Sequence, residues 1–328
     1  MVAARKALSF RAYQPGDEQH ILSLFRETFH REVSYAFWKW RYIDNPFGRA
    51  ISRLAFDGDE IVGHLAVLPM EVQFEGRILR SIFPVTAMTH PDYAGRGIFT
   101  RLITDIYDGA RNSGFDIAHG FFNINTYHAN VHHVGYRESD IIKMNTLEKR
   151  IDTKAHIIAV DKSVKQVVSF DSNADVLWSK VKDNFKAIVP RTSRFLNWRF
   201  AEYKEIDYPK FVFFQGNDIL GYIVLKIYVE GSTVRGHIVD LLTIPDEKVV
   251  KSLVERAYAY FTEKKVPDIS LWMMEHSLYS RIFEKEGFAR REGVTNFAVL
   301  LLDRRRTELL PIEKPANWHL TMGDSDVF

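Results

Sequence analysis

The sequence repeats itself. "WRY" at Trp40 to Tyr42 returns as "WRF" at Trp198 to Phe200, and "DEIVGH" at residues 59–64 returns as "NDILGY" at 217–222, both displaced by 158 residues. Further on, "FDIAHGFFNINTYHANVHHVGY" at 115–136 matches "PDISLWMMEHSLYSRIFEKEGF" at 267–288 without a gap, displaced by 152 residues. The second pair shares Asp116/Asp268, Ile117/Ile269, Tyr127/Tyr279 and Gly135/Gly287. Chance coincidences scatter in spacing, whereas these keep their order, as one supersecondary plan written twice would. The reading is a first domain over 1–150, a linker over 151–164, a second domain over 165–303 and a tail over 304–328 outside the repeat. A chain of 328 residues also suits two cores of about 150 residues better than one.

Within the first copy the element order is legible. "LSFRAY" reads as a strand, and "DEQHILSLFRETF" places Ile21, Leu22, Leu24, Phe25 and Phe29 at helical spacing after acidic residues. "SRLAFDGDEIVGHLAVLPMEV" is two strands about an Asp-Gly turn. "SIFPVTAMTH" is a strand, a helix runs from Ile98 to about Asn112, "FDIAHGFF" is a strand, and "NTYHANVHHVGY" is a short helix stopped at Gly135. The fold class is α/β with a mixed sheet and a strand–loop–helix unit at its centre.

The loop of that unit, "HPDYAGRGIF", carries Gly95, Arg96 and Gly97 just before the helix. A helix N-terminus presents free N–H groups at the positive end of a dipole worth roughly half a charge, which suits phosphate. Glycines let a ligand approach the backbone closely. The Lys-Ser/Thr of a P-loop and the G-x-G-x-x-G of a dinucleotide fold are both absent. In the second copy the loop shortens by two residues and "PDYAGRGIFTRL" becomes "PDEKVVKSL", without glycine. One phosphate-binding loop is therefore expected, in the first half.

"PDYAGRGIFTRLI" resembles motif A of the GCN5-related N-acetyltransferase (GNAT) superfamily, Q/R-x-x-G-x-G/A, which binds the pyrophosphate of coenzyme A. That register falls on Ala94, Gly95, Arg96, Gly97, Ile98 and Phe99, with the opening Gln/Arg and the closing Gly/Ala replaced. "NINTYHANVHHVGY" resembles the family's N-x-x-A-x-x-x-Y-x-x-x-G-F helix, with Asn125 near the asparagine. "SLYSRIFEKEGF" has the same ending, so the resemblance implies two tandem GNAT-like domains, the second degenerate. An active copy paired with a degenerate one is similar to the tandem enzymes of the enhanced intracellular survival aminoglycoside acetyltransferase branch. The resemblance implies an acetyl-CoA co-substrate held by Met88, Thr89, residues 94–100 including Thr100, and Asn125. It also implies transfer of an acyl group to a small primary amine, with an amino sugar as the acceptor toward which the aromatic stretch "FWKWRYIDNPFG" leans. The alternatives are a non-catalytic acyl-CoA-binding module and an acyltransferase with a longer donor.

The catalytic groups are less legible. An amine of pKa about 10.4 is neutral in roughly one molecule in two thousand at pH 7, so a base matters. The glutamate that superfamily members often carry on the strand before motif A is missing, and their usual tyrosine position holds Val131. Tyr127, His132, His119 and the acidic tail remain. The tail, "NWHLTMGDSDVF", is expected to dock over the acceptor side of the first domain. By resemblance to the aminoglycoside enzymes, the Phe328 carboxylate would then serve as base, and the Asp326 side chain beside it is the alternative.

Charge and composition exclude other classes. Lys plus Arg number 44 against 42 Asp plus Glu, a net +2, so no broad field favours nucleic acid or an anionic membrane. The chain has no cysteine, which removes disulfides and thiolate chemistry and fits a cytoplasmic location. His128 and His132 stand four apart without the glutamate of H-E-x-x-H, so no metal is expected.

Overall fold

A computed structural model describes residues 7–122, 124–154 and 160–326, except the side chains of residues 124 and 125. The elements run in the order β1 Ser9–Ala12, α1 Glu18–Phe29, α2 Tyr35–Tyr42, β2 Ile51–Asp57, β3 Glu60–Phe74, β4 Arg77–Thr89, α3 Ile98–Asn112, β5 Ile117–Phe122, α4 Ile124–Ala129 and β6 Ile142–Arg150. The same order then returns as β7 Val164–Val167, α5 Asn173–Val181, the short β8 Ala187–Ile188, α6 Ser193–Asn197, β9 Lys210–Gln215, β10 Asp218–Glu230, β11 Thr233–Thr243, α7 Glu247–Glu263, β12 Asp268–Trp272, α8 Ser280–Lys285 and β13 Ala289–Leu301. The repeat in sequence is a repeat in structure, with β8 as the added element. Even the caps repeat: Ser34 accepts from the Phe37 N–H and Thr192, 158 residues on, from the Phe195 N–H.

The chain packs as two compact units, one of residues 1–71, 79–141 and 297–315, the other of 72–78, 142–296 and 316–328. These limits correct the sequence boundaries. β6 lies before residue 150 but joins the second unit, where it pairs antiparallel with β12 from Asp268↔Arg150 to Trp272↔Thr146 and buries Leu147 in that unit's core. Residues 297–315, the end of the second copy and the start of the tail, join the first unit, where Ala298, Leu300 and Leu302 are core and the Leu302 N–H bonds to the Asp116 carbonyl at 2.9 Å. The first copy thus gives its closing strand, and the second copy the last residues of its closing strand, to the other copy's unit.

In the first unit the strand order is β1-β2-β3-β4-β5 followed by the end of β13. Helix α3 buries Ile98, Leu102, Ile103, Ile106, Tyr107 and Ala110, the stripe its periodicity predicts. The aromatic run after Ser34, read from sequence as a possible sugar-facing wall, is helix α2, which buries Trp38, Trp40, Arg41 and Tyr42. In the second unit the order from β13 is β6-β12-β11-β10-β9-β7. β8 pairs there with the end of β3 through Gln73↔Ile188 and Phe74↔Ala187. Among the described residues no helix is long and apolar enough to cross a membrane.

Candidate functional site

The glycine loop is built as its composition requires. Gly95 and Gly97 both have left-handed backbone, φ 74° and 72°, a region L side chains enter at a cost. A Cβ built on either meets no protein atom within 4 Å, so the loop's outer face is open. Gly97 is the N-cap of α3 and offers no capping side chain. The first ladder bond runs from the Arg101 N–H to the Gly97 carbonyl at 3.0 Å, so the N–H groups of Ile98, Phe99 and Thr100 precede any intrahelical acceptor. No acidic residue sits in that first turn.

Neighbours fix the loop. Tyr93 donates to Asp57 Oδ2 at 2.8 Å, Arg96 lies over the Tyr93 ring at 4.3 Å, and His90 Nδ1 accepts from the Asp92 N–H. Met88 and Ile98 are buried, so of these two only backbone groups can serve a ligand; Ala94 is exposed, while Phe99 packs against the first core. β4 and β5 run parallel but are in register only at Ser81↔Ile117 and Ile82↔Ala118, although both strands continue. They therefore part toward the glycine loop. Open backbone, unsatisfied N–H groups and parted strands form a cradle suited to a phosphate-bearing chain.

The second copy has no glycine in the matching loop, "PDEKVVKSL". Tyr279 is buried and holds the end of β11, its hydroxyl accepting the Thr243 N–H at 3.0 Å and donating to the Thr243 carbonyl at 3.3 Å. Its counterpart Tyr127 is only partly buried and turns to Glu138; burial raises its phenol above the ordinary value, as do the charge of Glu138 and a hydrogen bond to it. His132 is exposed beside His128, ring centroids 4.4 Å apart. His119 is a core residue, with Nδ1 2.6 Å from Ser81 Oγ. Asn125 is the second residue of α4, inside the helix and not before it, and its side chain lies outside the described residues.

The tail docks, but in the second unit. Asp324 takes Arg191 Nη1 and Nη2 at 2.8 Å each, while Asp240 takes Arg191 Nε at 3.1 Å and Nη2 at 3.2 Å. Thr321 and Tyr222 hydroxyls complete Asp240 at 2.9 and 2.8 Å. Burial opposes ionisation of Asp324, but the Arg191 charge and hydrogen bonds outweigh it and hold the carboxyl below the usual range. An arginine only 1% exposed needs these anions, which is why this part of the tail settles here. Asp326 belongs to this second unit; Phe328 lies outside the described residues.

A buried group the sequence did not single out faces the other side of β3. Gly63 turns toward Ile98 of α3, so His64, the next residue, points to the opposite face, toward Tyr42 of α2 at 6.0 Å between rings. His64 Nδ1 lies 3.0 Å from the Thr86 carbonyl, an acceptor only, so Nδ1 carries the proton. Burial pushes this imidazole down to about 4, which leaves Nε2 as a bare acceptor that meets no partner among the described residues. Thr86 has φ 50°, an irregularity inside β4 that turns its carbonyl to His64. The signal for His64 was present in the "DEIVGH" and "NDILGY" match, which aligns it with Tyr222.

Comparison with known proteins agrees with this geometry. Residues 9–128 match the family model of the acetyltransferase (GNAT) domain. The fold resembles a conserved Enterococcus faecalis protein named as a probable N-acyltransferase, with TM-score 0.68 and 11% identity over 91% of this chain and 73% of that one. It resembles a GCN5-related N-acetyltransferase from Anabaena variabilis, with TM-score 0.66 and 11% identity over 91% and 74%. It also resembles Saccharomyces cerevisiae N-myristoyltransferase with bound myristoyl-CoA, with TM-score 0.61 and 10% identity over 91% and 79%. No curated protein matches the sequence. Residues 9–128 thus match the GNAT domain model, and the chain has the mixed α/β fold of the N-acyltransferase structures that it resembles.

Proposed function

We propose that the protein is an acyl-CoA-dependent N-acyltransferase of tandem GNAT type, with one active copy, that acts on a primary amine. The observation that carries this reading is the pair of left-handed glycines, Gly95 and Gly97, opening the unsatisfied N-terminus of α3 inside the GNAT-matched segment. Backbone N–H groups of residues 97–100 would take the pyrophosphate, with Arg96 free to leave the Tyr93 ring and add a charge. The parted ends of β4 and β5, with Met88 and Thr89 on one side, would receive the thioester arm. Acyl-CoA supplies an activated carbonyl carbon. The amine nitrogen forms a C–N bond there, the C–S bond breaks, and the proton lost by nitrogen reaches solvent or a side chain while the thiolate is protonated.

Tyr127 with Glu138, and His132, are the first unit's candidates for proton transfer. The loss of glycines from the second copy supports a single site. Titration calorimetry with acetyl-CoA should give one site per chain, and thiol release should rise on adding amines. Donors from acetyl-CoA to myristoyl-CoA decide acyl length. Two equivalent sites, or binding without turnover on any amine, would overturn the enzymatic reading.

A further inference from the structure

We infer that the second unit pairs with a second molecule of the same chain through the open edge of β10, so that the two strands join in one sheet. The inference is independent of the acyltransferase reading. β9 covers β10 only from Asp218↔Gln215 to Val224↔Lys210, and just beyond, the Leu225 N–H bonds to the Pro209 carbonyl at 2.8 Å. β10 continues to Glu230, held on its other side by β11 as far as Glu230↔Thr233. Backbone groups of a strand turn to alternate sides, so Ile227 and Val229 aim their N–H and carbonyl groups the same way as the Leu225 N–H. Among the described residues no backbone group meets them there. The space beside them is a cavity of about 280 Å³, lined by Glu205, Ile206, Asp207, Lys226, Ile227 and Tyr260. Lys226 and Ile227 belong to opposite faces of the sheet, so the cavity lies in its plane, where a further strand would run.

The first unit closes the same edge. At a displacement of 158 residues Ile227 matches Pro69 and Tyr203 matches Asn45. Pro69 has no N–H to offer, and its carbonyl takes Asn45 Nδ2 at 2.8 Å. Gly48 lies against it, a Cβ built there standing 3.6 Å from Pro69 Cγ. In the second unit isoleucine supplies the N–H, and Tyr203 donates to Glu205 within its own loop. The hairpin beyond is apolar and uncovered: Tyr228, Val229 and Val234 are 40%, 63% and 39% exposed. An unguarded strand edge beside exposed apolar side chains is a template for pairing.

The edge of β10 is complementary to itself. A two-fold axis sets residue i against j and j against i. With Tyr228 on the axis, Ile227 and Val229 of one molecule face Val229 and Ile227 of the other, and each facing pair exchanges two backbone hydrogen bonds. Lys226 then faces Glu230 of the other molecule, on both sides of the axis. Burial pushes the Lys226 ammonium down, with the Tyr208 hydroxyl opposing and the Arg199 charge adding to the effect. Among the described residues Lys226 meets the Tyr208 ring at 5.6 Å and makes no ion pair, so Glu230 of the other molecule supplies the anion it lacks. A register shifted by one residue sets bonding groups against non-bonding ones. A shift of two toward Leu225 meets the N–H that Pro209 already holds, and a shift of two toward the turn sets Lys226 against Ser232. β10 ends at Glu230 and turns at Gly231, φ 57°, so each molecule's strand stops where the other's Pro209 takes over the edge.

Sedimentation velocity on the full-length chain over a hundredfold range of concentration should show monomer passing to dimer. Ile227→Pro gives this edge the proline of the first unit, removes one N–H from each molecule and should raise the dimer Kd at least tenfold. Glu230→Lys lies on the exposed hairpin, sets lysine against lysine and should do the same. Lys226→Glu combined with Glu230→Lys should return Kd to within threefold of the original. Amide hydrogen exchange resolved by residue should show Ile227 and Val229 slow at high concentration, fast when dilute, and fast throughout in Glu230→Lys. A monomer at every concentration overturns the proposal; slow exchange at Ile227 and Val229 in that monomer would mean that another segment of its own chain covers the edge. A dimer that neither Ile227→Pro nor Glu230→Lys weakens lies elsewhere on the molecule and overturns it equally. Should Ile227→Pro fail to fold, Glu230→Lys and the charge exchange decide the matter alone.

Discussion

The γ2 methyl of Ile98 stands directly on the bare α-carbon of Gly63. A Cβ at Gly63 would come within 2.5 Å of that methyl, 3.1 Å of Ala55 Cβ and 3.3 Å of Leu102 Cδ1. The first residue of α3 is thereby seated on β3, and the helix end that we propose receives the pyrophosphate is placed by a missing side chain. Gly63→Ala should destabilise the fold by about 1–3 kcal/mol through overpacking. It should also weaken acetyl-CoA binding in the fraction that remains folded. Calorimetry well below the melting transition checks this, and unchanged affinity would show that the seat does not set the loop.

Gly97→Val should abolish acetyl-CoA binding. No protein atom lies near the added Cβ, so the loss comes from left-handed strain and from the side chain standing where a ligand must approach the backbone. Gly16→Val is the matched control, with φ 107° and equally open surroundings. It should cost comparable stability without touching affinity. Equal loss of affinity in both variants would assign the effect to strain in general.

Asp324→Asn should lower stability by about 3–5 kcal/mol, because it leaves Arg191 buried with half its charge compensation removed. Acetyl-CoA affinity of the folded protein should not change, since the pair sits in the second unit. The folded carboxyl is depressed, so its contribution is present above the unfolded value and is lost as pH falls through the folded one. Chemical denaturation of both proteins at pH 7 and pH 3 measures this. A difference that persists undiminished at pH 3 would contradict the assignment.

His64, His237 and His319 are each pushed down to about 4, burial being the largest cause in all three. For His319 the nearby Arg191 charge also lowers the value, against Asp324 and Asp240. The unfolded chain binds these protons near 6.5, so each site removes stability as pH falls from about 6.5 to about 4, on the order of 3 kcal/mol at the bottom of that window. Stability measured between pH 7 and pH 4 should fall with a slope that His319→Gln makes shallower. A wild-type profile flat above pH 4.5 would refute the prediction.

Residues 1–150 produced alone should not fold. That fragment keeps β6, which belongs to the second unit, and lacks residues 297–315, which complete the first. Co-production with 151–328 should restore a soluble complex that binds acetyl-CoA. A well-dispersed NMR spectrum from the short fragment alone would show that the closing strand is dispensable.

The repeat, the glycine loop and helix α3 were legible because each follows from local rules: spacing, φ > 0 at Gly95 and Gly97, and an apolar stripe. Helix α2 was not, because "YAFWKWRY" carries aromatics on nearly every face and its periodicity is lost. The domain limits failed for a different reason. Nothing local to β6 or β13 states which copy's strand it will pair with. The tail's address was hidden for the same reason: Arg191 looks like any arginine until Asp240 and Asp324, 49 and 133 residues away, are seen to enclose it. His64 was hidden by its ordinary neighbours, and only its alignment with Tyr222 marks it.

The exchange of closing strands binds the fates of the two halves. A duplicated gene ordinarily sheds a redundant half by truncation once that half has stopped earning its keep. Here a stop codon in the second half would also remove the strand on which the first half's core is completed. Changes confined to the surface of the second half leave that strand in place, whereas changes that unfold it do not, so the framework of one half is held by what the other half needs.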